Sequence, residues 1–186
     1  MVVAIELLER NLIDENWQVL CNGEYEFFES THRCTGSHGY VNLNDAMTMS
    51  CNIFFYEAVQ KIRLDNLAKR SKDLFHGLPT GIDLPNEMKG RVPDRAYMNK
   101  LYGTDGWSTG ALLNISIGQG EVLVTPIQMI AYVNTIATSG NYNPIYIVKN
   151  EGGSAISTSI SQSTWKKINY YMKNVIIDQN GTGRLS

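Results

Sequence analysis

The sequence predicts a mainly α-helical chain with short β hairpins, and three stretches predict it. Residues 125–140 carry a full set of helix boundary signals. Thr125 is placed to cap, Pro126 to take the first helical position, Gln128 to close a capping box, and Gly140 to end the helix. Residues 162–177 repeat Trp165, Ile168, Met172 and Ile176 at helical spacing, with Lys166, Lys167 and Lys173 off that stripe. Residues 17–43, in contrast, are extended pieces at Trp17 to Leu20 and Tyr25 to Phe28, broken by Asn22-Gly23, Gly36 and Gly39.

The remaining elements follow in order. Residues 1–12 read as an amphipathic helix with Ala4, Ile5, Leu8 and Leu12 buried and Glu6, Glu9 and Arg10 outside. Asn44-Asp45 reads as a helix start. A further helix runs from about Cys51 to Ile62, with Phe55, Ala58, Val59 and Ile62 on one apolar face and Glu57 and Lys61 as an i,i+4 pair. Asp65 is placed to cap a helix from about Asn66 to Phe75, ended by Gly77, with Lys69, Arg70, Lys72 and Asp73 as its solvated face. Pro79, Gly81, Pro85, Gly90 and Pro93 mark a long ordered loop, with a short strand around Ile82-Asp83-Leu84. Asp83 and Glu87 sit in turn chemistry with no companion base and read as structural. Residues 94–112 show little periodicity. Residues 125–140 are apolar nearly all round, which predicts a helix buried in the middle of a domain. Pro144 to Lys149 reads as a strand and Gly152-Gly153 as a turn.

Composition limits the function. A chain of 186 residues that is 43% hydrophobic is globular, and either buries one core or forms part of a larger domain. A formal net charge of -2 with no basic cluster argues against nucleic acid as a partner. No apolar run approaches the roughly 20 residues that a membrane span needs, and no signal peptide opens the chain. Gly118-Gln119-Gly120 lacks the Lys-Ser/Thr of a P-loop and the third glycine of a dinucleotide fingerprint, which excludes nucleotide binding at that stretch. Three cysteines, an odd number, cannot all pair internally. Cys21 and Cys34 flank a hairpin, and either a bridge or two free thiols fits them. Cys51 reads as a small buried hydrophobe. His32 and His38 lack companions at a zinc spacing, so neither metal nor organic cofactor is expected.

Candidate chemistry gathers in Met47-Thr48-Met49-Ser50-Cys51-Asn52-Ile53-Phe54-Phe55-Tyr56. Residues at i and i+2 do not share a helix face. Ser50 and Asn52 therefore address one ligand only if the helix breaks at residues 50–52. The competing reading makes Ser50 the cap of the second helix and leaves Asn52 incidental.

Ser50-Cys51-Asn52 resembles the Ser-x-Asn motif of penicillin-binding proteins, the second of three motifs in acyl-serine transpeptidases. Other stretches fit that family in the same order. His38-Gly39 comes first; then Thr80-Gly81-Ile82-Asp83-Leu84-Pro85-Asn86-Glu87 with Gly90 and Pro93; then Ser116-Ile117-Gly118-Gln119-Gly120; then Thr125-Pro126-Ile127-Gln128-Met129; last Gly181-Thr182-Gly183-Arg184. The set most resembles elongation-type class B members.

The resemblance implies the helix-rich part of the serine β-lactamase/transpeptidase (α+β) fold, with the central sheet largely outside this piece. It implies a partial transpeptidase domain over residues 1–186, cut between the Ser-x-x-Lys and Lys-Thr-Gly motifs. The nucleophilic serine and its lysine read as absent and are expected just upstream of Met1; Lys-Thr-Gly is expected just downstream of Ser186. The implied parent cross-links peptidoglycan stem peptides ending in D-Ala-D-Ala, is acylated by β-lactam antibiotics, and works in a cell-wall elongation complex. Its place is the outer face of the cytoplasmic membrane, anchored by an N-terminal helix absent from this chain. Ser50 is implied as a proton relay to the leaving nitrogen. Asn52 is implied as the group that meets the donor peptide bond and holds the catalytic lysine. Trp107 is read as a loop anchor, with a substrate-lining role as a further implication. A β-lactam receptor or sensor domain, a class D β-lactamase-like protein, and a homologue serving only in complex assembly share enough of this plan to stay as alternatives.

Overall fold

A computed structural model describes residues 1–104, 106–107, 109–149 and 153–184. In chain order they form α1 (Val2–Glu9), β1 (Val19–Cys21), β2 (Glu24–Phe27), β3 (Ser30–Arg33), β4 (Gly39–Val41), α2 (Leu43–Thr48), α3 (Asn52–Val59), α4 (Leu64–Asp73), α5 (Arg95–Tyr102), α6 (Thr109–Ser116), α7 (Pro126–Ala137), β5 (Asn141–Tyr142), β6 (Ile156–Ser157) and α8 (Gln162–Ile177). The strands make three separate two-stranded antiparallel sheets, β1 with β4, β2 with β3, and β5 with β6. The architecture is thus mainly helical with short hairpins, as the sequence predicts.

Helix α3 is the centre of the core. Ile53, Phe54, Tyr56, Ala58 and Val59 are all buried, so apolar side chains face inward on nearly every side. Against it lie α1, α2, α6 and β1. Phe54 meets the Trp17 ring edge-on at 5.0 Å. Lys61, expected to pair with Glu57, instead sets its ammonium over Trp17, 5.0 Å from the ring centroid.

The charges of α1 and α4 are placed otherwise than periodicity suggests. Glu6, expected outside, is 1% exposed. Arg70, expected on a solvated face, donates from Nε to Glu6 Oε2 at 2.9 Å, and Arg10 closes on the other carboxylate oxygen. Two guanidinium groups thus neutralise one buried carboxylate and tie α1 to α4. Asp65 does not cap α4: Arg63 holds the cap position, and Asp65 accepts from the backbone N–H of Arg95 at 2.9 Å.

Helix α7 has the boundaries its signals predict, including the reciprocal Thr125–Gln128 capping box. Gln128 does more than cap. It is fully buried, and its Nε2 donates to the carbonyls of Leu78 and Lys89, each at 2.7 Å. One amide thus closes both ends of the 78–89 loop onto the helix start. The loop passes so close that a side chain at Gly90, where φ is +61°, would stand 2.4 Å from the Leu123 carbonyl. Within it, Glu87 accepts from Thr80 and Gly81, and Asp83 accepts from the N–H groups of Ile147 and Val148. Both carboxylates are structural, as expected. The strands expected at 82–84 and 144–149 do not form. The chain bends at Asp83–Leu84 and at Ile147–Val148, and the Asp83 carboxylate takes the N–H groups of Ile147 and Val148 in place of a partner strand. Gly152 of the expected turn lies outside the described residues. Helix α7 is also less covered than predicted, with Ile130 and Val133 more than half exposed.

Two helices went unpredicted, α5 and α6. The first has a cap that the sequence shows, Asp94, which accepts from Tyr97 N–H at 2.8 Å. Its side is only weakly apolar, and Met98 alone among its residues is buried. Helix α8 matches its predicted span, and Gly183 N–H closes its end on the Val175 carbonyl at 2.9 Å.

The buried Glu6–Arg70 pair sets a test. Removing Arg70 leaves the buried Glu6 carboxylate with the half-exposed Arg10 alone. Arg70→Met is expected to cost about 3 kcal/mol, while the Glu6→Met/Arg70→Met double variant recovers most of that loss. Urea unfolding of the domain would check it; equal stability of Arg70→Met and wild type would show that the Glu6 carboxylate is in effect solvated.

Candidate functional site

The break between α2 and α3 is a Schellman turn. Met49 is the C-cap of α2, the N–H of Ser50 bonds to the Met47 carbonyl at 3.4 Å, and that of Cys51 to the Ala46 carbonyl at 2.8 Å. In such a turn the residue after the cap is left-handed and is ordinarily glycine. Here it is Ser50, at φ +55°. A side chain there costs about 1–2 kcal/mol. A strained non-glycine residue, held by its surroundings in a cleft, is the pattern of a functional position.

Two residues on, Asn52 opens α3. Its side-chain Nδ2 donates to the Arg33 carbonyl at 3.4 Å, which leaves Oδ1 and a second N–H for other partners. The turn brings Ser50 and Asn52 together on the wall of a cleft of about 650 Å3, shared with Met47, Phe55, Ser116 and Tyr132. Ser50 does not cap α3: that position belongs to Cys51, and the Ser50 hydroxyl lies 3.0 Å from Thr182 Oγ1. His76 also lines this cleft. Burial pushes its imidazole down to about 4, so it is neutral at pH 7.

Trp107 is a loop anchor. Its Nε1 donates to Asn99 Oδ1 at 2.7 Å, and the Arg95 guanidinium lies over its ring at 5.5 Å. Both partners are on α5, and Trp107 is not among the described residues lining the cleft. One Ser-x-x-Lys string does occur in the chain, against expectation, at Ser163-Thr164-Trp165-Lys166. Ser163 and Lys166 are exposed on the first turns of α8, outside that cleft lining, so the spacing there is incidental to the site.

The structure also assembles a group that the sequence reading kept apart. Cys21, Cys34, Cys51 and His38 turn their donor atoms toward one point, all within 4.8 Å of one another. Nδ1 of His38 is 3.3 Å from the Cys21 sulfur and 3.6 Å from that of Cys34, and the Cys34 and Cys51 sulfurs are 3.9 Å apart. A tetrahedral zinc with bonds of about 2.3 Å separates its sulfur ligands by about 3.8 Å. Three thiols and one imidazole suit zinc in chemistry as well as in size. With all four positions filled by protein, such an ion is a structural cross-link and supplies no reacting group. Burial disfavours the Cys34 thiolate, yet the N–H groups of Ile53, Gly36 and Asn52 and the Cys21 thiol outweigh it and bring Cys34 down to about 6. Burial pushes the Cys51 thiol up instead. The spacing, twelve residues between Cys21 and Cys34 and again between His38 and Cys51, follows no common zinc motif. Only the two hairpins, β2–β3 and β1–β4, close it up.

The cluster bears directly on the turn. Cys51 is the residue between Ser50 and Asn52. The Cys34 sulfur accepts from the Asn52 backbone N–H at 3.2 Å, and Thr35 Oγ1 lies 3.5 Å from the Ser50 carbonyl.

Comparison with known proteins adds family information. The family model described as the penicillin binding protein transpeptidase domain matches residues 1–185. The chain is 28% identical to the peptidoglycan D,D-transpeptidase MrdA of Haemophilus influenzae, over 98% of this chain and 30% of that protein. It is 30% identical to stage V sporulation protein D of Bacillus subtilis, over 99% of this chain and 29% of that one. It thus spans about a third of the curated relatives it matches. Among solved structures it resembles penicillin-binding protein PBP2 of Helicobacter pylori, with a TM-score of 0.90 and 30% identity, covering 98% of this chain and 35% of that one. The same protein in complex with MreC matches at a TM-score of 0.88.

Two outcomes are expected from this geometry. Ser50→Gly should be more stable than Ser50→Ala by about 1 kcal/mol, since both lose the hydroxyl and only glycine relieves the left-handed strain. Calorimetric melting of the two variants decides it, and a higher-melting alanine variant would refute the strain. Zinc should bind at one equivalent by calorimetric titration and protect the thiols from alkylation, with both effects lost in Cys34→Ser; undiminished alkylation in zinc excess would dismiss the site.

Proposed function

The chain belongs to the penicillin-binding protein transpeptidase domain family, and on that premise we propose that it is the Ser-x-Asn wall of a peptidoglycan D,D-transpeptidase. The carrying observation is the strained Ser50 hydroxyl presented beside Asn52 on one cleft wall.

Serine acyl transfer needs a nucleophile, a base that takes its proton, an acid that gives one to the leaving group, and an oxyanion hole. In this reading the nucleophile and its lysine come from a Ser-x-x-Lys outside residues 1–186, and so does Lys-Thr-Gly. Ser50 serves between them. Its oxygen accepts a proton from the lysine ammonium as its own proton passes to the leaving nitrogen, so the hydroxyl ends as it began. A hydroxyl suits this because it donates and accepts at once. Asn52 offers a carbonyl oxygen to the lysine and an N–H to the donor peptide. The apolar lining of the cleft keeps water from the acyl-enzyme. Residues 1–186 are then one part of the transpeptidase domain, and the reaction needs the rest.

The substrate class is a peptidoglycan stem peptide ending in D-Ala-D-Ala, for which β-lactams are covalent mimics. The likeness to a protein solved with MreC supports a role in a cell-wall elongation complex. No helix among the described residues is long and apolar enough to cross a membrane. A place at the outer face of the cytoplasmic membrane therefore rests on an anchor outside this chain.

Benzylpenicillin incubated with the domain extended at both ends should leave one adduct by intact mass, on a serine outside residues 1–186. Ser50→Ala should slow its formation by about 100-fold, in the usual range for loss of a proton-transfer group. An adduct that forms as fast without the Ser50 hydroxyl would remove the relay.

A further inference from the structure

The Ser50 hydroxyl has one side-chain partner among the described residues, and it comes from far along the chain. Thr182 is separated from Ser50 by 132 positions, yet its Oγ1 lies 3.0 Å from Ser50 Oγ. Thr182 is held there firmly. Its backbone N–H donates to the carbonyl of Thr48, the last residue of α2, at 3.1 Å. The glycines on either side close the end of α8: Gly181 N–H bonds to the Asp178 carbonyl at 3.0 Å and Gly183 N–H to that of Val175 at 2.9 Å. The turn is tight, since a side chain at Gly181 would stand 2.4 Å from the Val175 carbonyl. Further back, Asn174 Nδ2 donates to Asn44 Oδ1 at 2.8 Å and joins α8 to α2 a second time.

Either hydroxyl can donate across this contact. Thr182 Oγ1 also lies 3.4 Å from the Thr48 carbonyl, which can only accept. With the Thr182 proton on that carbonyl, its oxygen accepts from Ser50. In that arrangement Ser50 has its proton turned away from the incoming one and both lone pairs free, which is the state a relay needs before it takes a proton.

We propose that Thr182 is a positioning residue for acyl transfer, fixing the rotamer and the proton direction of the Ser50 hydroxyl. This rests on the reading of Ser50 as a relay. Thr182 acts only through Ser50, and it gains or loses no proton over the cycle. It acts by ensuring that Ser50 accepts first and donates second. The Gly-Thr-Gly run is thereby explained: the glycines let α8 end sharply, and the threonine between them reaches the site.

The test uses the domain extended at both ends, acylated by a fluorescent penicillin under stopped flow. Saturation separates the acylation rate constant from the dissociation constant of the initial complex. Thr182→Val removes the hydroxyl at nearly constant shape. It should lower the rate constant about tenfold, the scale of one lost hydrogen bond, with the dissociation constant unchanged. Thr182→Ser should restore the rate to within about threefold. In a Ser50→Ala background, Thr182→Val should have no further effect. A wild-type rate in Thr182→Val overturns the proposal, and so does an equal slowing with and without the Ser50 hydroxyl. A merely structural threonine would lower the melting temperature and weaken the initial complex, and serine would not rescue it. A wild-type domain that forms no adduct sinks the acyl-serine reading and this proposal with it, whereas an acylated wild type beside an unaffected Thr182→Val sinks the proposal alone.

Discussion

A single backbone conformation, the left-handed Ser50, underlies the site. Continuous helix through residues 50–52 would put Ser50 and Asn52 on different faces. The Schellman turn reverses the chain in one residue, ends α2, and lets α3 begin at Asn52. Glycine could make the same turn without strain, but it carries no hydroxyl. Serine accepts roughly 1–2 kcal/mol of strain and places an exposed hydroxyl at a fixed point of the fold. Such a cost persists only where neighbours over-determine the conformation.

Those neighbours come from three directions. Behind the turn, Cys51 is buried among the thiol–imidazole cluster, and Cys34 holds the first N–H of α3. To one side, Arg33 and Thr35 approach from the hairpin. On the other, the loop after α8 bonds to Thr48 and meets Ser50 itself. The β hairpins and the last helix are thus supports for a two-residue motif. Their separation in sequence explains why the motif needs so much chain around it.

Part of this was legible in the residues alone. The Thr125–Gln128 box set the start of α7 and the α8 stripe its span to the residue, because capping and periodicity are local. The break at residues 50–52 was legible too, as the only way to bring two polar groups two apart onto one ligand. The cluster was not. Cys21, Cys34, His38 and Cys51 meet only after two hairpins close, and their spacing matches no local rule. Glu6 and Arg70 were misplaced for a related reason. Helical periodicity marks where apolar groups lie, but it carries no sign that a charge will find its counter-charge on another helix. The strand expected at 144–149 does not form because the chain bends at Ile147 and Val148, where the Asp83 carboxylate takes the N–H groups that a partner strand would use.

A cross-link at the cluster would act most on the segment with the least freedom to spare. A closed four-ligand site joins the hairpin residues Cys21, Cys34 and His38 to Cys51, and so fixes the far end of the strained turn. Its binding energy adds to folding energy wherever the site exists only in the folded chain. Against roughly 1–2 kcal/mol of strain at Ser50, even a small share of a structural zinc's contribution is ample. In the proposed mechanism such a cross-link would matter without touching substrate: it would hold Ser50 and Asn52 in place, and a relay misplaced by about 1 Å forfeits much of its rate. The same reasoning gives the two supports different characters. In the proposed mechanism a metal-closed cluster would fix where the backbone of Ser50 is, and Thr182 would fix where its proton points.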